Sequence, residues 1–82
     1  MEKYQLAEEI IDFCSKYYIL GTTIEKASAS NIVEQLEEVS FVEHLMSTIE
    51  KNAKYKKNID IKKLKVLLNE LDKIRLDFEY GE

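Results

Sequence analysis

The chain has no proline, no tryptophan and only two glycines, Gly21 and Gly81, in 82 residues. Strands joined by tight turns draw on glycine and proline at the bends, so this scarcity argues against a sandwich or barrel and in favour of helix. Cysteine occurs once, at Cys14, which excludes an intrachain disulfide and any cysteine-based metal cluster. Histidine also occurs once, at His44; there is no imidazole pair to hold zinc and no glycine-rich loop to cradle phosphate. The longest apolar run, Tyr17-Tyr18-Ile19-Leu20, falls far short of the roughly 18 residues a membrane span requires. Met1 to Gln5 shows neither the basic-then-apolar pattern nor the small-residue cleavage site of a secretory signal. A cytoplasmic protein that does not enter the membrane is expected.

What is present points to a folded chain. Hydrophobic residues make up 45% and charged residues 34%, at a formal net charge of −4, which is too apolar for an intrinsically disordered segment. The length suits one domain spanning residues 1–82, with a core small enough that self-association would widen its stability margin.

Hydrophobic periodicity divides the chain into three helical stretches. Leu6, Ile10, Phe13, Tyr17 and Leu20 are spaced by four and three, with Ala7, Ile11, Cys14 and Tyr18 widening the stripe, and Gly21 is placed to cap the C-terminus. Thr22 to Ser30 reads as a connector, with Ile24 and Ala27 as minor core contacts. Asn31 with Glu34 resembles a capping box and opens a second helix bearing Ile32, Leu36, Val39, Val42, Met46, Ile49 and Ala53. Two successive steps of three around Val39, and a second capping-box match at Ser40 with Glu43, mark a kink or break near Ser40. One continuous helix is the expectation, because no glycine or proline is there to shape a turn. Lys54 to Asn58 reads as the next turn and Asp60 as the N-cap of a last helix. In that helix Leu64, Leu67, Leu71, Ile74 and Phe78 form a heptad-like seam, extended by Ile61 and Leu68. The expected fold is an all-α, three-helix bundle, assembling as a homodimer.

The machinery of an enzyme is sparse. Sequence distance alone leaves a Cys14–His44 nucleophilic pair open, but Cys14 reads better as an inert core thiol and His44 as a surface side chain. No catalytic residue, metal or cofactor is expected.

Charge is distributed unevenly. Residues 1–50 carry three lysines against ten acids, whereas residues 51–82 carry nine basic residues against six acids. Lys51, Lys54, Lys56, Lys57, Lys62, Lys63 and Lys65 face only Asp60 within 51–65. Lysines near the end of a helix oppose its dipole favourably, but Lys62 and Lys63 fall in the first turn of the last helix, where positive charge is disfavoured. They are expected to pair with the acidic second helix, or else to form an anion site.

Several residues exceed the needs of a three-helix core. On a helical wheel Val66 and Leu76 point away from the seam, and Tyr80 joins them as a candidate contact surface. Arg75, the sole arginine, lies within the apolar arc and must snorkel to water or find a carboxylate in the acidic half. Phe78 and Tyr80 sit in an aromatic and acidic tail, Asp77 to Glu82, that suits docking into another protein. Glu34, Glu37 and Glu38 form an acidic cluster able to attract a basic protein surface or to imitate a phosphate row.

The leading expectation is therefore a protein-binding module, regulatory or inhibitory, acting through Val66, Arg75, Leu76, Phe78, Tyr80, Glu34, Glu37 and Glu38. The alternatives are nucleic-acid binding through Lys54, Lys56, Lys57, Lys62, Lys63 and Lys65, and an acidic nucleic-acid mimic that acts as an inhibitor. Lysine outnumbers arginine eleven to one, which disfavours base-specific recognition.

Overall fold

Helix α1 spans Lys3–Lys16, and its four-and-three spacing puts Leu6, Ile10 and Phe13 on one buried side together with Ala7 and Cys14. Glu2 caps its start, the carboxylate accepting the Tyr4 amide at 2.7 Å. The computed structural model describes residues 1–19 and 27–81. Leu20, the proposed cap Gly21 and the proposed contact Ile24 lie outside the described residues.

The first helix ends a turn earlier than its apolar stripe predicts. Tyr17 is the C-cap, Tyr18 adopts a left-handed φ of 55°, and the Ile19 amide returns to the Cys14 carbonyl at 2.8 Å while the Tyr18 amide reaches Ser15 at 3.4 Å. These are the two bonds of a Schellman motif, with tyrosine where glycine is usual. The motif turns Ile19 back into the core, where it is fully buried, so an apolar contact offsets the cost of the left-handed residue.

The expected second helix is two helices, α2 (Ala29–Gln35) and α3 (Val39–Ala53). The N-cap of α2 is Ser28 rather than Asn31; its hydroxyl accepts the Asn31 amide at 3.2 Å. The break between α2 and α3 needs neither glycine nor proline. The Glu37 and Glu38 amides reach Glu34 and Gln35 in i→i−3 bonds of 3.1 and 3.0 Å, after which Glu38 is extended at φ −107°, ψ 117°. No step of this elbow requires a positive φ, so ordinary residues can make it. Ser40 lies inside α3 rather than capping it. The break also re-phases the apolar stripe: α3 buries Val42, Leu45 and Ile49, while Val39 is left exposed and Met46 half-buried.

Helix α4 spans Ile61–Tyr80 and begins where Asp60 predicts, its carboxylate accepting the Lys63 amide at 3.0 Å. Asn58, at φ 59°, turns the chain between α3 and α4, a conformation asparagine tolerates. Leu67 and Leu71 are fully buried and Leu64, Leu68 and Ile74 pack partly against them. The two ends of the predicted seam, Ile61 and Phe78, which sit in the first and last turns of α4, are exposed instead.

Helix α1 packs on α2, α3 packs on α4, and α1 runs along α4. The Cα radius of gyration is 12.0 Å and the extents are 40 × 23 × 20 Å, matching the roughly 12 Å of a compact chain of this length. Among the described residues four helices therefore stand where three were expected. Among the described residues there is no strand, no buried polar or charged residue, and no helix long and apolar enough to cross a membrane. The core is held by apolar burial at about 1.5–3 kcal/mol for each large side chain enclosed.

Candidate functional site

Two chain crossings give the molecule distinct ends. At one, the α-amino group of Met1 pairs with Glu70 of α4 at 2.9 Å, and Lys3 Nζ meets Glu37 Oε1, in the α2–α3 elbow, at 3.0 Å. At the other, the Tyr17 hydroxyl accepts the Asp60 amide at 2.9 Å, fixing the end of α1 to the start of α4.

The first end gathers the start of α1, the elbow and the last turns of α4 around a groove of about 220 Å³. Ile74 and Phe78 give it an apolar side, and Lys3, Glu37 and Asp77 give it a charged one. Phe78 is 42% exposed, a large fraction for a side chain that the seam predicts to be buried. Met1, Tyr4 and Val39, each within two residues of this groove in the chain, are exposed as well. Glu34 and Glu38 lie exposed on either side of Glu37 in sequence, while the charged lining of the groove itself is Glu37, Asp77 and the Lys3 that pairs with Glu37. Glu70, beside it, is held below the ordinary carboxylate range, first by its hydrogen bond from the N-terminal ammonium and then by that from Lys73.

The structure thus joins Phe78 to Glu37, and separates them from the other predicted contact residues. Val66, Leu76 and Tyr80 are exposed but occupy the outward side of α4, Val66 about 18 Å along the helix from Phe78. Arg75 finds its carboxylates on its own helix. Nε and Nη2 donate to Asp72 at 3.0 and 2.8 Å, and Nη1 donates to Glu79 at 3.0 Å. These bonds, Asp72 first, strengthen its hold on the proton, and Glu43 of α3 adds to the effect through space.

No protein-family model, curated protein or solved structure matches the chain.

The second end is basic. Lys51, Lys54, Lys57, Lys62 and Lys65 are exposed and Lys56 is half-buried, all carried by the last turn of α3, the connector or the first turns of α4. Among the described residues neither Lys62 nor Lys63 makes the expected pair with the acidic second helix; Lys63 pairs instead with Glu9 of α1. A groove of about 250 Å³, lined by Glu9, Asp12, Phe13, Lys16, Tyr17, Asp60 and Lys63, opens beside this contact. Tyr18 and Tyr55 stand 79% and 85% exposed at the same end. Tyr18 was hidden in the sequence because it reads as part of an apolar stripe; only the early helix stop turns it outward.

Cys14 is fully buried, and desolvation pushes its thiol up to about 12, whereas His44 lies exposed on α3. The two occupy different environments and do not form a nucleophilic pair. Among the described residues no group of three histidine, cysteine, aspartate or glutamate side chains is placed to hold a metal ion. The residues that the sequence did not single out for this site are Lys3 and Ile74, and Asp77 entered only as the start of the C-terminal tail. Their grouping depends on how α1, the elbow and α4 meet, which no local pattern records.

Proposed function

We propose that the protein is a small cytosolic binding module, regulatory or inhibitory in role, that works as a homodimer and captures a protein partner at the acidic end. The single observation that carries the reading is the groove at Phe78 and Ile74, apolar within and edged by Asp77 and by Glu37 with its partner Lys3. Its chemistry selects a partner presenting a large apolar side chain surrounded by lysine or arginine. Burying an aromatic contact supplies affinity, and Asp77 and Glu37 at the edge supply steering and orientation. A basic partner surface of this kind is also what an acidic nucleic-acid mimic would occupy.

The test is affinity capture from the native cell, with wild type beside Phe78→Ser and Glu37→Lys, each shown to be folded by circular dichroism. A partner retained in stoichiometric amount by wild type and lost by both variants is the expected result. Equal capture by all three proteins would sink the assignment.

A second reading is favoured by one specific observation, the exposed Tyr18 and Tyr55 at the lysine-rich end. Flat aromatic faces among cations suit single-stranded nucleic acid, whose bases stack while lysines meet phosphate. Titration of single-stranded oligonucleotides at two salt concentrations decides it. Binding that weakens steeply with salt and drops in Tyr55→Ala supports this reading, and no binding at low salt eliminates it.

A further inference from the structure

Helix α4 carries a second heptad stripe on the side away from the core. Lys62, Val66, Asn69, Lys73, Leu76 and Tyr80 follow spacings of four and three, and at 100° per residue they fall within an arc of about 80°. All six are exposed, and they lie opposite the buried Leu67 and Leu71. Neither neighbouring helix covers them. Helix α1 meets α4 along one flank, through Glu9 with Lys63 and the N-terminus with Glu70, and α3 brings Glu43 near Arg75 on the other.

We propose that this stripe binds its own copy in a second chain, antiparallel, about a two-fold axis level with residue 71. The inference deepens the homodimer reading given above by naming its surface and register. Antiparallel pairing about that level sets Val66 against Leu76 of the second copy, Asn69 against Lys73 and Lys62 against Tyr80. The stripe is therefore self-complementary, as an isologous interface requires. The first pair is apolar, the second joins an amide oxygen to an ammonium donor, and the third places a cation over an aromatic face.

Charge flanking the stripe selects the same direction. Lys65 comes opposite Glu79 of the second copy, attractive at both ends of the interface by symmetry. Near the axis, Asp72 would approach its own copy, but it shares the Arg75 guanidinium with Glu79, so this cluster keeps one net negative charge, which Lys65 of the second copy meets. Glu70 is compensated by Lys73 and the N-terminal ammonium. A parallel arrangement would instead stack Lys62 on Lys62 and Lys73 on Lys73, at a repulsive cost.

Two measurements on the full chain test this. Light scattering coupled to gel filtration is run on wild type, Lys65→Glu, Glu79→Lys and the double variant, with helicity checked by circular dichroism. The expected result is a wild-type mass of twice the 9.6 kDa chain, a dissociation constant at least tenfold weaker in each single variant, and recovery in the double. In a Cys14→Ala background, Val66→Cys chains mixed with Leu76→Cys chains should oxidise to mixed dimers. Neither variant should cross-link alone, since like positions stand about 15 Å apart across the axis. A monomer at every concentration would overturn both the homodimer reading and this interface. A dimer that cross-links Val66→Cys to itself, or that ignores the charge reversals and forms no mixed disulfide, would overturn the antiparallel α4 interface while leaving dimerisation intact.

Discussion

Replacing Tyr18 by glycine should make the protein more stable, although it deletes a large side chain. Tyr18 holds φ at 55° in the Schellman turn that ends α1, and a side chain with a Cβ pays roughly 1–2 kcal/mol for that conformation. Glycine removes this cost but gives the unfolded chain more freedom, which takes back about 0.5–1 kcal/mol. The ring is 79% exposed, so little packing is lost with it. The balance is a gain of about 0.5–1 kcal/mol, or roughly 2–8 °C in Tm for a domain of this size. Thermal melts followed by circular dichroism, at one fixed protein concentration, measure it. Tyr18→Ala is the control: it keeps the left-handed demand and should melt close to wild type. Asn58→Gly, at φ 59°, should gain less, since asparagine already tolerates that region. A lower Tm for Tyr18→Gly than for Tyr18→Ala would refute the reasoning and show that the ring supports the fold.

Leu71→Ala removes a fully buried side chain of α4 and should destabilise by about 2–5 kcal/mol in urea unfolding, with the midpoint falling sharply. Asp60→Ala deletes the N-cap of α4 and should cost about 1 kcal/mol by the same measurement. Glu70 has a folded-state pKa below its ordinary value, so its contribution is present above the unfolded carboxylate pKa and fades as pH falls through the folded one. Glu70→Gln should therefore melt below wild type at pH 7, and the two melting points should converge as pH falls through the lowered folded-state pKa of Glu70. Cys14, with its thiol pushed up to about 12 and fully buried, should resist a thiol reagent at pH 8 until the protein is unfolded; rapid labelling of the native chain would contradict its placement in the core.

Where the sequence spoke through neighbours a few residues apart, it was legible. The stripe from Leu6 to Phe13 and the cap at Asp60 are set by contacts within one or two helical turns, and the structure places both as their spacing indicates. The elbow at Glu37 was harder. Its signal, two steps of three around Val39, was present, but the break relies on i→i−3 bonds and one extended residue rather than on the glycine or proline that usually announces a turn. The stop at Tyr17 gave no warning, since tyrosine in the left-handed position runs against its own preference and is held there by the burial of Ile19.

The amino-acid order by itself determined that this chain is helical, where α4 begins, and that its charges are segregated along its length. Each of these follows from hydrogen bonds, side-chain spacing or composition that act within a few residues. Tertiary structure alone decided that Phe78 faces Glu37 across a groove, that Lys63 answers to Glu9 rather than to the acidic second helix, and that Tyr18 emerges beside the lysines. Those outcomes depend on which helix faces meet, and packing settles that for the whole core at once.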